Sequence, residues 1–238
     1  MIERLNRIKK EFSFAFVQTI PVMLGYLCLG FAFGLMMQDA GYHVFWAVLC
    51  SLFVYAGSMQ FVLVTLLTSG ASLLYAVIMT LFINGRQIFY GLSLIDRFRN
   101  MGKYYLYMVF SLTDETYSLL CSVEVPKELD EKKSLFLISL LDQLYWILGS
   151  VLGALAGSVL HMNTKGVDFS MTALFLAIVV NQWMDQKSHI SAWAGLVCGA
   201  LSLVLLGPDK FLLPALTGAA LFLILFSKCG NEKTKEEA

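Results

Sequence analysis

Four ionisable side chains lie well inside the apolar segments of this sequence, where lipid or protein must surround them. They are Arg86, Asp114, Glu115 and Asp142. Arg86 follows a run over residues 40–85 that contains no Asp, Glu, Lys or Arg. A charge at membrane depth is costly, and such residues usually mark substrate sites, proton relays or ion pathways. These residue types could bind a charged group of a substrate or carry a proton.

Arg86 and Asp114 are predicted to lie at the same depth of the membrane. Arg86 precedes Asp96 by ten residues, and Asp114 follows Lys103 by eleven. At a helical rise of about 1.5 Å per residue, both lie about 15 Å from the loop 96–103, near the bilayer midplane. The two side chains are therefore expected to pair. The pair either only orients helices or forms a substrate or proton site, and the poor stabilisation by buried ion pairs favours the second alternative.

The acidic residues of this set could have different partners. Asp114 and Glu115 are adjacent, so a helix would point them in directions about 100° apart. One of them could pair with Arg86 while the other binds and releases a proton during transport. Asp142, in a later apolar segment, is a third candidate for ion pairing or proton coupling, and it could face a cavity or an interface.

Polar residues near Arg86 and in an earlier apolar stretch are candidate substrate ligands. Asn84 and Gln87 are three residues apart and share one helical face. The stretch "YAGSMQF", residues 55–61, places three more candidates inside an apolar run, and these are Gly57, Ser58 and Gln60. The alternative is that these groups only form hydrogen bonds between helices.

The composition indicates a membrane protein and argues against several other classes. The 238 residues are 58% hydrophobic and 14% charged, with a mean hydropathy of +0.71, so lipid must be part of the solvent. The formal net charge is zero, which gives no reason to expect a nucleic-acid partner. The histidines and cysteines lack metal-ligand spacing, so no metal or cofactor is expected. Ser58 has no histidine at its own depth, so neither an intramembrane protease nor another enzyme is expected.

Eight apolar segments predict an all-α integral membrane protein, a polytopic bundle of seven or eight transmembrane helices. The segments cover about 12–37, 43–69, 71–95, 104–123, 134–160, 169–185, 188–206 and 211–227. They form one transmembrane domain, 12–227, between a cytoplasmic basic N-terminus, 1–11, and a solvated C-terminal tail, 228–238.

The distribution of basic residues conflicts with eight full crossings. The N-terminus, the loop 124–133 and the tail would lie in the cytoplasm, as the positive-inside rule requires. The loop 96–103, with its two arginines and a lysine, would then lie outside. A broken or re-entrant segment among the first three would remove the conflict and give seven crossings. The Gly–Ser pair at Gly57 marks a candidate for such a broken helix.

Glycines recur at four-residue spacing in the fifth segment, at Gly149, Gly153 and Gly157. Such a stripe predicts close packing against another helix or another chain. Gly30 and Gly34 in the first segment have the same spacing. This similarity reflects either an internal repeat, as in many transporters, or only the abundance of glycine in membrane helices.

Four stretches of the sequence, taken in order, resemble the AzlC-type large subunit of bacterial branched-chain amino acid exporters. They are "SLFVYAGSMQF", "FINGRQIFYGLSL", "SLTDETYSL" and "GVDFSMTALFLAIVV", within residues 12–226. The resemblance implies a multi-pass permease of the bacterial cytoplasmic membrane that works with a small hydrophobic AzlD-type subunit. Such pairs export branched-chain and related apolar amino acids, driven by the proton gradient. The alternatives are a small-solute or ion channel and a non-transporting assembly subunit.

Within this resemblance, Arg86 would bind the carboxylate of the substrate, and Asp114 or Glu115 would bind its ammonium group. The broken helix at Gly57 would add backbone contacts. One departure from the family pattern concerns Gln87, which stands where the family usually has histidine. Because glutamine cannot titrate, any proton-carrying role of that histidine is missing here or belongs to one of the two acidic residues.

Overall fold

Within the part of the chain that the structure describes, all regular secondary structure is helical. The structure, a computed structural model, describes residues 2–160 and 189–207, together with scattered positions in 172–184 and 211–222. The predicted tail, most of the sixth and eighth apolar segments and the start of the "GVDF" stretch lie outside the described residues.

Three helices of the described part are long and apolar enough to cross a membrane. They are α1 (Ile2–Asp39), α4 (Leu73–Ser93) and α8 (Glu131–Leu160). The shorter helices between them are α2 (Val44–Leu49, continued by a π-helix over Cys50–Val54), α3 (Ser58–Thr68), α5 (Ile95–Arg99), α6 (Tyr105–Phe110, preceded by a 3₁₀ turn over Gly102–Tyr104) and α7 (Asp114–Ser122). The prediction of an all-α, polytopic membrane protein is confirmed.

The chain forms two compact units, residues 1–172 and 173–238. The first unit contains α1 to α8 and every candidate site residue named above. In the second unit the structure describes α9 (Ile190–Leu206), an apolar helix that ends at Gly207.

The three long helices alternate in direction. Near the start of α1, a carboxylate oxygen of Glu11 accepts a hydrogen bond from the backbone N–H of Asp130, directly before α8. The two helices then pack along their length, so they run parallel. On α5, which follows α4, Arg97 forms an ion pair of 2.8 Å with Glu131, the first residue of α8. The chain therefore leaves α4 at the end of the molecule where α1 and α8 begin.

The second apolar segment is broken at residues 55–57, which confirms the predicted break near Gly57. Tyr55 has φ of 39° and Gly57 has φ of 48°, and a right-handed helix cannot continue through such values. The buried Gln60 accepts a hydrogen bond of 3.2 Å from the backbone N–H of Ala56 through its Oε1 atom. This contact gives a partner to a backbone group at the break.

The two halves of this segment form a hairpin. After a short turn at the end of α1, α2 descends beside α8 until Ser51 donates a hydrogen bond of 2.9 Å to Ser150. Ser58, at the start of α3, contacts Arg86 in the middle of α4, whereas the end of α3 joins the start of α4 through the turn 69–72. α3 therefore runs antiparallel to α4 and returns to the end from which α2 came.

The fourth apolar segment, predicted as one of the apolar helical segments, is interrupted at residues 111–113. Tyr104 stacks on Phe136, with 4.5 Å between the ring centroids. One turn later, Tyr107 donates a hydrogen bond of 2.7 Å to Oε1 of Gln143. α6 therefore runs along α8 in the same direction, towards the middle of the membrane.

α7 runs back towards the end from which α6 came. Thr113 caps it, because its Oγ1 atom accepts a hydrogen bond from the backbone N–H of Thr116. Thr116 itself donates a hydrogen bond of 2.8 Å to Asp142, in the middle of α8. The carbonyl of Leu120, one turn later, accepts a hydrogen bond from Arg97, which is paired with the first residue of α8. The second and fourth apolar segments are thus re-entrant hairpins that enter from opposite ends.

The two hairpins remove the conflict in the distribution of basic residues. The N-terminal basic stretch and the loops 96–103 and 124–133 all lie at the end where α1 and α8 begin. This arrangement satisfies the positive-inside rule with these three stretches in the cytoplasm. The sequence predicted one re-entrant segment among the first three as a remedy, and the fourth segment adds another.

Glycines allow the backbones of α1 and α8 to touch. A methyl group added to Gly34 would collide with the carbonyl of Ser150 and the backbone nitrogen of Ala154, and one added to Gly153 would collide with the backbone of Phe31. Gly30 and Gly149 face the partner helix in the same way. The glycine stripe therefore packs against α1, and the contact fixes α8 against the helix that carries Tyr26.

Candidate functional site

Arg86 lies where α4 passes the tips of both hairpins. Its Nη2 atom is 2.6 Å from Oδ2 of Asp114, at the start of α7, and donates a hydrogen bond of 2.9 Å to Oγ of Ser58, at the start of α3. The tips also meet through Tyr55 and Phe110, whose ring centroids are 6.3 Å apart. Arg86 and Asp114 thus lie at one depth and form the predicted pair. Ser58 accepts a hydrogen bond from the same guanidinium group.

The ion pair is partly buried. The side chains of Arg86 and Asp114 are 24% and 25% exposed. Nε of the arginine and Oδ1 of the aspartate are themselves buried, and neither has a hydrogen-bond partner among the described residues. Since buried polar atoms in proteins are nearly always hydrogen-bonded, this pair has free capacity for a further polar group.

The chemistry of this free capacity suits a ligand with both charges. A guanidinium group binds a carboxylate through two parallel N–H donors, and Arg86 has Nε available for such a fork. A carboxylate accepts hydrogen bonds from an ammonium group, and Asp114 has Oδ1 available. A small zwitterion could therefore contact both residues at once.

Stacked tyrosines hold α7 in register with α4 below the ion pair. The rings of Tyr90 and Tyr117 are stacked with 4.3 Å between their centroids, and Ser93 donates a hydrogen bond of 3.0 Å to the hydroxyl of Tyr117. Tyr90 lies one turn beyond Arg86, and Tyr117 lies three residues beyond Asp114. These contacts keep the two charged residues opposite each other.

A second polar cluster lies behind the first, between α1, α7 and α8. Oε2 of Glu115 accepts a hydrogen bond of 2.9 Å from the hydroxyl of Tyr26, which also contacts Oγ1 of Thr113. Oγ1 of Thr113 bonds to Oγ1 of Thr116 at 3.0 Å, and Thr116 bonds to Asp142. Neither acidic residue makes an ion pair within the described part of the chain. Asp114 and Glu115 thus lie in different clusters, as their angular separation predicted.

Two of the predicted substrate ligands, Asn84 and Gln87, form no hydrogen bond with the ion pair, and their role in binding substrate stays a prediction. The side chains of Asn84 and Gln87, both half-buried on α4, form no hydrogen bond with any residue that the structure describes. Asn84 lies two residues from Arg86 and so points away from it on the helix. Gly57 and Gln60 shape the break at the start of α3, and the buried Nε2 atom of Gln60 has no hydrogen-bond partner in the part of the chain that the structure describes.

The hydroxyl groups of the second cluster were not anticipated from the sequence. Tyr26, Thr113 and Thr116 lie on two segments, and tyrosine and threonine are too common in such segments to single out. One signal was available, because Thr113 followed by Asp114 and Glu115 is the pattern of a helix start. Within a long apolar segment, that pattern indicates a break.

The sequence of this chain matches the model of a known protein family. The model of the family described as "AzlC protein" matches residues 21–160, which include the second half of α1, both hairpins and all of α8. This chain belongs to the AzlC family. The matched range contains each member of both polar clusters.

Relatives of this AzlC-family protein extend the match over nearly the whole chain. The protein named "Branched-chain amino acid transport protein AzlC" of Bacillus subtilis is 38% identical over 90% of this chain and 85% of its own length. An uncharacterized membrane protein of Helicobacter pylori is 43% identical over 94% of this chain and 98% of its own length. The Escherichia coli protein named "Inner membrane protein YgaZ" is 26% identical over 77% of this chain and 86% of its own length. No solved structure matches the chain.

Proposed function

We propose that this AzlC-family protein is a permease subunit that exports branched-chain or related apolar amino acids across the bacterial cell membrane. The name of the Bacillus subtilis relative supports the substrate class, and that of the Escherichia coli relative supports the inner membrane. Residues 12–227 form the permease domain of this proposal, which works with a small hydrophobic membrane subunit.

The observation that carries the proposal is the partly exposed ion pair with two hydrogen-bonding atoms that have no partner among the described residues. Neither Nε of Arg86 nor Oδ1 of Asp114 has a hydrogen-bond partner among the described residues, so the first can bind the carboxylate of an amino acid and the second its ammonium group. Ser58 holds the same guanidinium at the start of α3, where helix N-termini favour negative charge. The site recognises the backbone of an amino acid, and its apolar surroundings accept an aliphatic side chain.

A structural ion pair would differ from this site in its hydrogen bonding. A pair that only orients helices is expected to satisfy all of its buried atoms, because each unsatisfied atom costs about 1–3 kcal/mol. Here one atom on each partner is buried and unsatisfied. A bound zwitterion would supply the missing partners for both.

Export against a concentration gradient needs an energy source, and the proposal assigns this role to the proton gradient. Asp114 is neutralised by Arg86, whereas Glu115 and Asp142 have hydroxyl partners but no cationic one among the described residues. A carboxylate in such a place is a candidate carrier of the coupling proton.

Efflux from preloaded cells tests the proposal. Cells that contain the protein with its small subunit are loaded with leucine, valine, isoleucine, methionine or lysine, and release is followed with and without a protonophore. We expect saturable release of the four apolar amino acids, sensitive to the protonophore, and no release of lysine. The matched arginine variants are Arg86→Ala, which we expect to abolish release, and Arg99→Ala, which changes an exposed arginine at the end of α5 and which we expect to behave as wild type.

Two results would contradict the proposal. Undiminished release by Arg86→Ala would place the substrate elsewhere. Absence of release from cells that contain correctly inserted wild-type protein and its subunit would contradict the amino acid substrate, and the alternatives of a channel for other solutes or an assembly subunit would then be favoured.

A further inference from the structure

A continuous chain of hydrogen bonds connects two carboxylates inside the first unit of the protein. Three hydroxyl groups lie between the carboxylates, and the members in order are Asp142, Thr116, Thr113, Tyr26 and Glu115. The first four are at most 4% exposed, whereas Glu115 is half-buried. The chain therefore leads from an enclosed carboxylate to a more accessible one.

A count of hydrogens shows what this chain requires. Four contacts join the five side chains, and each contact needs one hydrogen between its two oxygen atoms. The three hydroxyl groups supply three hydrogens, and two ionised carboxylates supply none. With both carboxylates ionised, one contact would bring two oxygens together without a hydrogen. One added proton, on either carboxylate, gives every contact its hydrogen.

We infer that Glu115 and Asp142 share a single proton through the hydroxyl groups of Tyr26, Thr113 and Thr116, and that this chain relays it between them. The inference deepens the proposed function, on which its transport role rests, because it names where the coupling proton is held. It also separates proton binding from the ion pair that is proposed to bind the amino acid.

The transfer is balanced and needs no other reactant. When Asp142 is protonated, it gives its proton to the oxygen of Thr116, and the hydroxyl hydrogen of Thr116 passes to Thr113. The hydrogen of Thr113 passes to Tyr26, and that of Tyr26 passes to Glu115. Each hydroxyl group loses one hydrogen and gains one, so the net change is the movement of one proton from Asp142 to Glu115.

No residue that the structure describes supplies this chain of hydrogen bonds with a competing charge partner. The charged neighbours of Glu115 are Asp114 and Arg86, which are paired with each other. On the side of Asp142, the neutral phenols of Tyr55 and Tyr107 approach, and the Oδ1 atom of the aspartate is buried with no hydrogen-bond partner among the described residues. An isolated negative charge there is costly, whereas a neutral carboxyl group is compatible with such surroundings.

The relay is tested by removing one hydroxyl group from its centre. Thr116→Val removes the hydroxyl and keeps the volume, and Thr116→Ser keeps the hydroxyl. Thr80→Val is the matched control, because the hydroxyl of Thr80 bonds only to the carbonyl of Ala76 in its own helix. Tyr26→Phe interrupts the chain at a second point while keeping the ring that packs edge-on against Trp146.

The first readout is the carboxylic-acid C=O stretching band of the purified protein at neutral pH, by infrared spectroscopy, which requires no transport. We expect a band that Asp142→Asn diminishes and that Thr116→Val and Tyr26→Phe shift, whereas Thr80→Val leaves it unchanged. Absence of a protonated carboxyl group at neutral pH, or a band that none of the chain variants affects, would overturn the shared proton.

The second readout is the ratio of proton-driven amino acid flux to amino acid exchange in vesicles. We expect Thr116→Val and Tyr26→Phe to lower this ratio by at least about tenfold, with Thr116→Ser and Thr80→Val near the wild-type ratio. An unchanged ratio in Thr116→Val and Tyr26→Phe would overturn the relay. If the wild-type protein moved no amino acid at all, the proposed function would fail while the infrared result still decided the shared proton.

Discussion

Asp114 and Glu115 are neighbours in the sequence but belong to two centres with different physical properties. Asp114 faces α4 and pairs with Arg86 at 2.6 Å, in a place about one quarter exposed. Glu115 faces α1 and accepts a hydrogen bond from the hydroxyl of Tyr26, with no cation paired to it among the described residues. The first turn of α7 thus places the carboxylate of Asp114 beside a cation and that of Glu115 beside a chain of hydroxyl groups.

The different surroundings of the two carboxylates result from the re-entrant hairpin that carries them. Because Thr113 starts α7 in the middle of the membrane, the first two residues of the helix lie at the tip and point to opposite neighbours. A continuous helix at this position would have needed no cap and would have had no tip. The break, more than the acidic pair itself, places one carboxylate beside Arg86 and the next beside Tyr26, as the proposed separation of substrate and proton requires.

The membrane topology that creates both centres can be tested by the side of the membrane from which single cysteines are labelled. In a background without native cysteines, single cysteines are introduced as Lys9→Cys, Asn100→Cys and Lys127→Cys, and as Tyr42→Cys and Ala71→Cys. Because both hairpins return to the end from which they enter, we expect the first three to react with a membrane-impermeant maleimide from one side and the last two from the other. Reaction of residues 42 and 71 from opposite sides would contradict the re-entrant second segment, and reaction of residues 100 and 127 from opposite sides would contradict the re-entrant fourth segment.

The largest effects on function are expected from substitutions of Asp114 and Glu115, and the two substitutions should have different effects. Asp114→Asn leaves the guanidinium of Arg86 without its counter-charge, so we expect a loss of about 1–3 kcal/mol in unfolding free energy and weaker substrate binding. Glu115→Gln removes the acceptor of a proton but no ion pair, so we expect a smaller loss of stability and a loss of proton dependence. Thermal unfolding in detergent and exchange kinetics measure the two effects. Equal behaviour of the variants would show that the centres are not distinct.

A comparable loss of stability is expected where α1 and α8 touch, since this contact positions Tyr26 and Asp142. Gly34→Ala would place a methyl group against the backbone of α8, which cannot move aside, so we expect a loss of about 1–3 kcal/mol. Gly25→Ala on the same helix is the matched control, because a methyl group there meets nothing within 4 Å. Unfolding midpoints of the two variants check this, and equal midpoints would argue against a tight contact.

A smaller effect is expected from the hydroxyl group that joins the first hairpin to Arg86. Ser58→Ala removes one hydrogen bond of 2.9 Å to the guanidinium and leaves Asp114 in place. A hydrogen bond to a charged group contributes about 1.5–3 kcal/mol when fully buried, and the partial exposure here places the loss near the lower limit. We expect the KM for exchange to rise by about tenfold, with the proton dependence unchanged. A lost proton dependence in this variant would link the two centres directly.

Several features of the site followed from the sequence for clear physical reasons. The distances of Arg86 and Asp114 from a charged loop placed both at one depth, because helical rise is constant. The Gly–Ser pair at Gly57 indicated the break, since glycine adopts positive φ with little cost. The conflict among basic residues indicated a re-entrant segment, because charged loops report the side of the membrane on which they lie.

Other features depended on tertiary contacts that sequence distance does not reveal. The chain from Asp142 to Glu115 passes through Tyr26, which lies 89 residues before the glutamate it contacts. The roles predicted for Asn84 and Gln87 rest on nearness to Arg86 in the sequence, and they stay predictions because neither side chain forms a hydrogen bond with a described residue. The only sequence signal for the break in the fourth apolar segment was Thr113, a residue type that commonly caps helices.

The most direct test of two separate centres is a comparison of Arg86→Ala and Asp142→Asn in the same vesicles. Both amino acid exchange and proton-driven flux are measured for each variant, with Arg99→Ala as the control. We expect Arg86→Ala to lose both activities, and Asp142→Asn to lose proton-driven flux while exchange falls far less. Loss of both activities to the same extent in Asp142→Asn, or exchange by Arg86→Ala at the wild-type rate, would contradict the division of roles between the two centres.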